Sequence, residues 1–177
     1  MKCRLLVKLL SLLVLFSFGC STQNQVRPRP ADFSVQYEWR EGNSPSSYCY
    51  AYAIRIGPGI QGEVSSPDHS SNNPHVWTET FSVEDEDLEK LYTFMSEKGM
   101  FTKSWPQEDI PSADESVEWL EVTAHGEHFL VPRYIAGEQE AEAIQEVYAA
   151  VHSLVPGTVR AKLFSQGEQY EQGFLNK

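Results

Sequence analysis

Between Phe33 and Arg40 apolar or aromatic residues (Phe33, Val35, Tyr37, Trp39) alternate with polar ones (Ser34, Gln36, Glu38, Arg40). This is the period-two pattern of a strand with one buried face. A turn-rich EGNSPSS follows. From Tyr48 to Ile56 the alternation resumes, with Tyr48, Tyr50, Tyr52, Ile54 and Ile56 on one side and Cys49, Ala51, Ala53 and Arg55 on the other. GPGIQG predicts a turn into a short third strand near Glu63 to Ser65. SSPDHSSNNPH reads as a loop, and VWTETF as a fourth strand.

The period changes to a helical one after Ser82. Leu88, Leu91, Tyr92 and Met95 form an apolar stripe, and the acids Glu84 to Asp87 suit the positive end of a helix dipole. Ser82 and Asp85 have capping-box spacing, and Gly99 supplies a stop. An acidic loop from about Lys103 to Ser116 separates this helix from VEWLEVTAHGEHFLVPRY. With His125-Gly126 as a two-residue turn, Ala124 faces Glu127, Val122 faces Phe129, Leu120 faces Val131 and Glu118 faces Arg133. A second helix is predicted over Glu138 to Val155, with Ile144, Val147, Tyr148, Val151, Leu154 and Val155 at helical spacing and Pro156-Gly157 ending it. His152 is expected on its surface. The run TVRAKLF and a polar tail over 165–177 close the chain.

Strands, helix, hairpin and helix in this order predict an α+β fold: a two-layer sandwich of a mostly antiparallel sheet with two helices packed on one face, in a single domain over 33–164. The polar faces of the first two strands must be the solvated ones. Their aromatics are therefore expected beneath the helices rather than on a sugar-stacking platform. The second side of the hairpin carries Trp119, Glu121, Thr123, His128, Leu130 and Pro132, with Tyr134 farther along. Trp119, His128, Leu130 and Tyr134 are the candidate partner patch, an apolar group on an otherwise charged surface. The competing expectation is that TVRAKLF or the acidic loop covers it. Pro132, lacking a backbone donor, predicts an edge strand.

The N-terminus has a separate logic. MKCRLLVK is basic, LLSLLVLFSF is apolar, and Gly19 and Cys20 follow, which predicts an export signal over 1–19. A helix from Leu9 to Phe18 would span only ~15 Å at about 1.5 Å per residue, roughly half a ~30 Å hydrocarbon core. STQNQVRPRPAD is polar and contains proline, so residues 20–32 read as a flexible tether. Gly19-Cys20 after an apolar run resembles the lipobox of bacterial lipoproteins, in which the cysteine receives diacylglycerol as a thioether. Ser17 stands where that pattern has an aliphatic residue and Phe18 where it has a small one. The resemblance implies lipidation of Cys20, with acyl chains such as palmitate, and attachment to a membrane of the cell envelope. Ser21 resembles the residue found in lipoproteins sent to the outer membrane, facing the periplasm in a Gram-negative cell. The alternative from the same residues is a general signal-peptidase site, Ser17-Phe18-Gly19, giving a secreted protein. A disulfide between Cys20 and Cys49 is then open, whereas lipidation leaves Cys49 without an intramolecular partner.

The chain carries a formal charge of −11, and removal of Lys2, Arg4 and Lys8 with the signal leaves −14. Nucleic acid is excluded as an expected partner, since binding a phosphate backbone needs a basic surface. No catalytic, metal or cofactor motif is present. HGEH lies at a strand turn rather than on consecutive turns of a helix, GPGIQG lacks the lysine of a phosphate loop, EDEDLE lacks the alternating ligands and glycine of a calcium loop, and no G-x-S-x-G elbow occurs. The leading expectation is a non-enzymatic binding domain tethered to a membrane, its ligand unassigned. FSVEDEDLEKLYTFMSEKGMF followed by VEWLEVTAHGEHFLVP resembles, in element order and apolar spacing across Phe33 to Val155, the emfourin family of metalloprotease inhibitors. That resemblance implies protease inhibition and carries no inhibitory residue over. The alternative from a different class is a secreted hydrolase that brings His69, His75 or His128 together with nearby acids.

Overall fold

The computed structural model describes residues 27–41, 51–67, 76–107, 116–163 and 165. The signal, Cys20, Cys49, His69, His75 and the tail beyond 165 lie outside the described residues.

Six antiparallel strands form one sheet: β1 (Ser34–Arg40), β2 (Ala51–Ile56), β3 (Gln61–Pro67), β4 (Val76–Ser82), β5 (Val117–Ala124) and β6 (Glu127–Val131), in the spatial order β4-β3-β2-β1-β5-β6. Strands β1 to β4 make a meander. The chain then crosses as helix α1 (Asp85–Glu97), returns on the far side of β1 as the β5–β6 hairpin, and ends in α2 (Glu138–Ser153) and a short α3 over 157–163.

Register aligns the alternating apolar residues of neighbouring strands. Val35 lies between Ile56 and Val122, Tyr37 between Ile54 and Leu120, and Leu120 faces Val131. These side chains are buried together with Leu88, Leu91, Tyr92 and Met95 of α1 and Ile144, Val147, Tyr148 and Val151 of α2. The helical spacing read from the sequence is thus the spacing of the buried stripe. Lys98, the residue capping the end of α1, pairs with Glu146 of α2 across the helix layer. The aromatics Tyr37, Trp39 and Tyr52 lie on this helix side, with Trp39 and Tyr52 stacked at 5.5 Å, as the solvated polar faces require.

The hairpin follows the predicted register, with Ala124 facing Glu127 and Val122 facing Phe129. Its turn residues His125 and Gly126 have φ of 57° and 76°, the left-handed pair of a type I′ turn. β6 is an edge strand and stops one residue before Pro132.

Three expectations are corrected. Ser82 does not begin a helix: it pairs with Gln61 in the β3–β4 ladder, Val83 N–H donates to Ile60 O at 2.8 Å, and α1 starts at Asp85 without a side-chain cap. The acids of its first turn, Asp85, Glu86 and Asp87, remain to complement the dipole. The segment Thr158 to Leu163 of TVRAKLF is helical, following Pro156. It adds a third helix to the helix face, with Leu163 buried in the core and Lys162 Nζ 2.7 Å from Glu79 Oε2 on β4. It therefore does not cover Trp119. Residues 27–32, assigned to the tether by composition, contact the domain. The Arg29 guanidinium pairs with Asp85 and Glu89 at the start of α1, and the Asp32 carboxylate accepts from the backbone N–H groups of His125 and Gly126.

Candidate functional site

The face of the sheet opposite the helices is built from the out-pointing residues of every strand. Four rows cross it. Thr78, Ser65, Ala53, Glu38 and Trp119 form one row, and Thr80, Glu63, Arg55, Gln36, Glu121 and Leu130 the next. Ser34, Thr123 and His128 lie toward the end where β1 begins, and Arg40 and Val117 toward the end where it finishes. No described helix lies on this face.

Of the candidate patch, Trp119, His128 and Leu130 share the face. Leu130 is 57% exposed and is one of the large apolar side chains that stand in solvent. His128 is exposed, with Nδ1 3.1 Å from Thr123 Oγ1 and 3.5 Å from the Glu121 carboxylate. Trp119 is half-buried beside Glu38. Tyr134 is half-buried beyond the end of β6 and lines no part of the hollow described next.

That hollow, of about 350 Å³, opens where small side chains on β2 and β3 meet larger ones around them. Ala51, Ala53 and Ser65 leave the space, while Trp119, Val117 and Val76 supply apolar walls. The charged groups lining it are Arg40, Arg55 and Arg133 against Glu38. Arg55 is held between carboxylates, 3.8 Å from Glu38 and 3.3 Å from Glu63, with Nη1 also donating to Ser65 Oγ at 3.4 Å. Arg40 and Arg133 are exposed and form no ion pair among the described residues. The expected pairing of Glu118 with Arg133 is not made. β6 ends at Val131, Arg133 turns to the hollow, and Glu118 bonds on the helix side instead.

A polar cluster lies between the sheet and α2. Tyr37 Oη donates to Glu118 Oε1 at 2.7 Å, Gln145 Nε2 of α2 donates to Glu118 Oε2 at 2.6 Å, and Tyr52 Oη is 3.1 Å from His152 Nε2. The His152 ring stands edge-on to Tyr37 at 4.6 Å, and Tyr148 lies 5.2 Å from Tyr37. Burial, reinforced by the Glu118 carboxylate, pushes the Tyr37 hydroxyl far above the ordinary phenol range. Burial raises Tyr52 and Tyr148 as well. Burial lowers His152, with the Glu118 charge opposing and Arg160 assisting. Tyr37, Tyr52 and Tyr148 therefore remain protonated and His152 neutral near pH 7, and their polar atoms largely satisfy one another. The cluster fastens α2 to the sheet. His152 was expected on the helix surface; the missed signal is its place four residues after Tyr148 and one after Val151, at the border of the buried stripe.

The described histidines lie apart. His125 sits at the hairpin turn, 3.0 Å from Tyr92 Oη, His128 on the open face, and His152 on the helix side. Among the described residues no group of three or more His, Cys, Asp or Glu side chains could hold a metal ion. A larger groove of about 730 Å³ runs between α1 and α2, floored by Leu91, Phe94, Ala150 and Leu154 and edged by Glu86, Asp87, Glu89 and Glu97. Its acids are the solvated face of α1 in an acidic chain, so its charge needs no ligand to explain it. The cations of the open face run against the charge of the whole molecule. Compared with protein-family models and with curated proteins, the chain matches none.

Proposed function

We propose that the protein is an exported, membrane-tethered lipoprotein whose folded domain is a non-enzymatic interaction module of the cell envelope. Cys20 carries the lipid and the open sheet face meets a protein partner. One observation supports the interaction role above the others: the described helices all pack on one side of the sheet, and the other side keeps Leu130 in solvent and a hollow walled by Trp119. Apolar side chains gathered on a face that no described helix covers mark a candidate binding surface. The anchoring role is supported by the basic and apolar N-terminus, Gly19-Cys20 and the polar sequence after them.

The two halves of the proposal have separate tests. Intact-mass and detergent-partition measurements on the native chain and Cys20→Ser should find acyl mass and detergent-phase partition in the first alone; a mature N-terminus without acyl mass refutes the anchor. A photo-crosslinking side chain at Leu130 should give a discrete adduct in intact cells, and the same group at exposed Ala149 on α2 should not. Equal labelling from both positions, or none from Leu130, refutes the interaction face. The order of strands, helix, hairpin and helix favours a second reading, inhibition of a metalloprotease. Purified protein that leaves zinc metalloproteases at full activity removes it.

A further inference from the structure

Resting on the reading of the open face as an interaction surface, we propose that its hollow binds an acidic peptide segment of a partner protein. Carboxylates of that segment meet Arg40 and Arg133, and an apolar side chain lies against Trp119.

The argument begins with charge. The chain beyond the signal is strongly acidic, yet the hollow is lined by three arginines and one glutamate. Arg55 is balanced by Glu38 and Glu63 at 3.8 and 3.3 Å. Arg40 and Arg133 lie in the same hollow, exposed and with no ion pair among the described residues. An arginine that serves only solubility commonly lies beside the carboxylates that an acidic surface offers in excess. Here two face one concavity with no carboxylate paired to them among the described residues, and planar guanidinium groups suit carboxylates, which they can bind through paired N–H groups.

The second step concerns shape. Ala51, Ala53 and Ser65 leave room for an entering side chain, and Trp119, Val117 and Val76 give that side chain apolar contact. An aromatic wall with arginines around it is the composition typical of the energetic centre of a protein interface. A simple inorganic anion would use the arginines and leave the apolar walls in water.

The third step uses position. The chain leading from the N-terminus is fixed where Arg29 meets α1 and Asp32 meets the hairpin turn, the end of the sheet where β1 begins. Arg40, Ala51, Val76 and Val117 are strand-terminal residues at the other end. A membrane anchored through the N-terminal segment therefore lies toward the end away from the hollow. Anionic lipid headgroups of that membrane fit this geometry less well than an acidic segment of another protein.

The test is titration of the full-length, 15N-labelled chain with a terminally blocked peptide alternating glutamate and leucine, followed by NMR at the Trp119 indole. The expected result is a saturable shift that weakens with salt. The affinity should fall roughly tenfold in Arg40→Ala/Arg133→Ala, two lost rim ion pairs of ordinary size. Both arginines are exposed, so the double variant keeps its fold, and Lys90→Ala, which removes an exposed cation on α1 outside the hollow, should bind the peptide as the native chain does. Absence of a Trp119 response overturns the proposal, as does equal binding of a matched blocked peptide alternating lysine and leucine or unchanged affinity in the double variant. Equal or tighter binding of inorganic phosphate or of phosphatidylglycerol vesicles at Trp119 overturns the assignment to an acidic protein segment. A discrete Leu130 crosslink together with no response to the glutamate peptide would leave the interaction face standing and remove only its acidic partner. Loss of both would remove the face itself.

Discussion

Tyr37→Phe isolates the contribution of one hydroxyl to holding the sheet on α2. The Tyr37 side chain is fully buried, and its Oη donates to Glu118 Oε1 at 2.7 Å while Gln145 donates to the other carboxylate oxygen. The substitution removes the donor and little else, because the ring contacts with Tyr148 and His152 remain. Hydrogen bonds to charged groups contribute roughly 1.5–3 kcal/mol. The lower end applies here, since half-buried Glu118 keeps Gln145 and can turn toward water. Dividing ~1.5 kcal/mol by a urea slope of ~2 kcal/mol/M gives an expected fall in midpoint of ~0.7 M at unchanged slope. Urea melts of the native chain, Tyr37→Phe, Glu118→Ala and the double variant form a cycle whose coupling should be ~1 kcal/mol, as for residues in one hydrogen-bonded network. A Tyr37→Phe protein within ~0.3 kcal/mol of native, or a cycle that is additive, would refute the assignment of this bond as a fastening of α2.

Other expectations follow from burial and register. His152 titrates below its ordinary value near 6.5 because burial disfavours its charged form. The unfolded chain then binds more protons than the folded one as pH falls from 6.5, so this group's contribution is present above that pH and declines below it. His152→Gln should flatten the stability profile between about pH 5 and 7, and an unchanged slope would show that another group sets it. Gly62 pairs with Phe81, and a Cβ added there would meet the Phe81 ring at 2.4 Å. Phe81 is itself buried, so Gly62→Ala should cost about 1–3 kcal/mol of overpacking despite a smaller entropic gain; a neutral melt would contradict it. Leu163→Ala should cost about 2–3 kcal/mol through the cavity left under α3. A near-neutral result would mean that the last helix is not part of the core. Asp32→Ala should speed amide exchange at His125 and Gly126, whose N–H groups its carboxylate accepts, and equal exchange would deny that link.

The parts of the fold that were legible are those where one periodicity determines one face. Val35 and Tyr37, the stripe Leu88, Leu91, Tyr92 and Met95, and the stripe Ile144, Val147, Tyr148 and Val151 are buried as their spacing requires. The hairpin register followed from the turn alone, because shifting it by one residue would put Val122 and Leu120 in water. Failures occurred where a local signal competed with a distant partner. Ser82 looks like a cap until Gln61 is known to pair with it, and TVRAKLF has too short a pattern to reveal that Leu163 reaches the core. Arg29 and Asp32 read as tether because their partners lie more than fifty residues away. The candidate patch was legible in Trp119, His128 and Leu130, which alternation alone puts on one side. The hollow was not, since it depends on β1 and β5 being neighbours, a topology that brings Ala53, Glu38 and Trp119 into one row.

The docking of Arg29 changes what the N-terminal segment can do. Nine residue steps lead from Cys20 to Arg29, a contour of about 30 Å at ~3.3–3.6 Å per residue, against ~40 Å if every residue to Asp32 were tether. For a chain lipidated at Cys20, β1 then carries the surface farther: six steps from Ser34 to Arg40 at ~3.3 Å add about 20 Å. The hollow at the end of β1 thus reaches roughly 50 Å from the lipid at full extension, with about two-fifths of that distance spanned by a rigid sheet. A floppy linker of the same total length would spread its cargo over many distances and orientations. Fixing the chain at Arg29 and Asp32, at the end of the strands away from Arg40 and Val117, would give the open face a defined polarity relative to the lipid anchor proposed at Cys20. Releasing those contacts with Arg29→Ala/Asp32→Ala should leave lipid attachment unchanged and weaken crosslinking from Leu130 in cells. Undiminished crosslinking would show that the partner does not depend on how the domain is oriented.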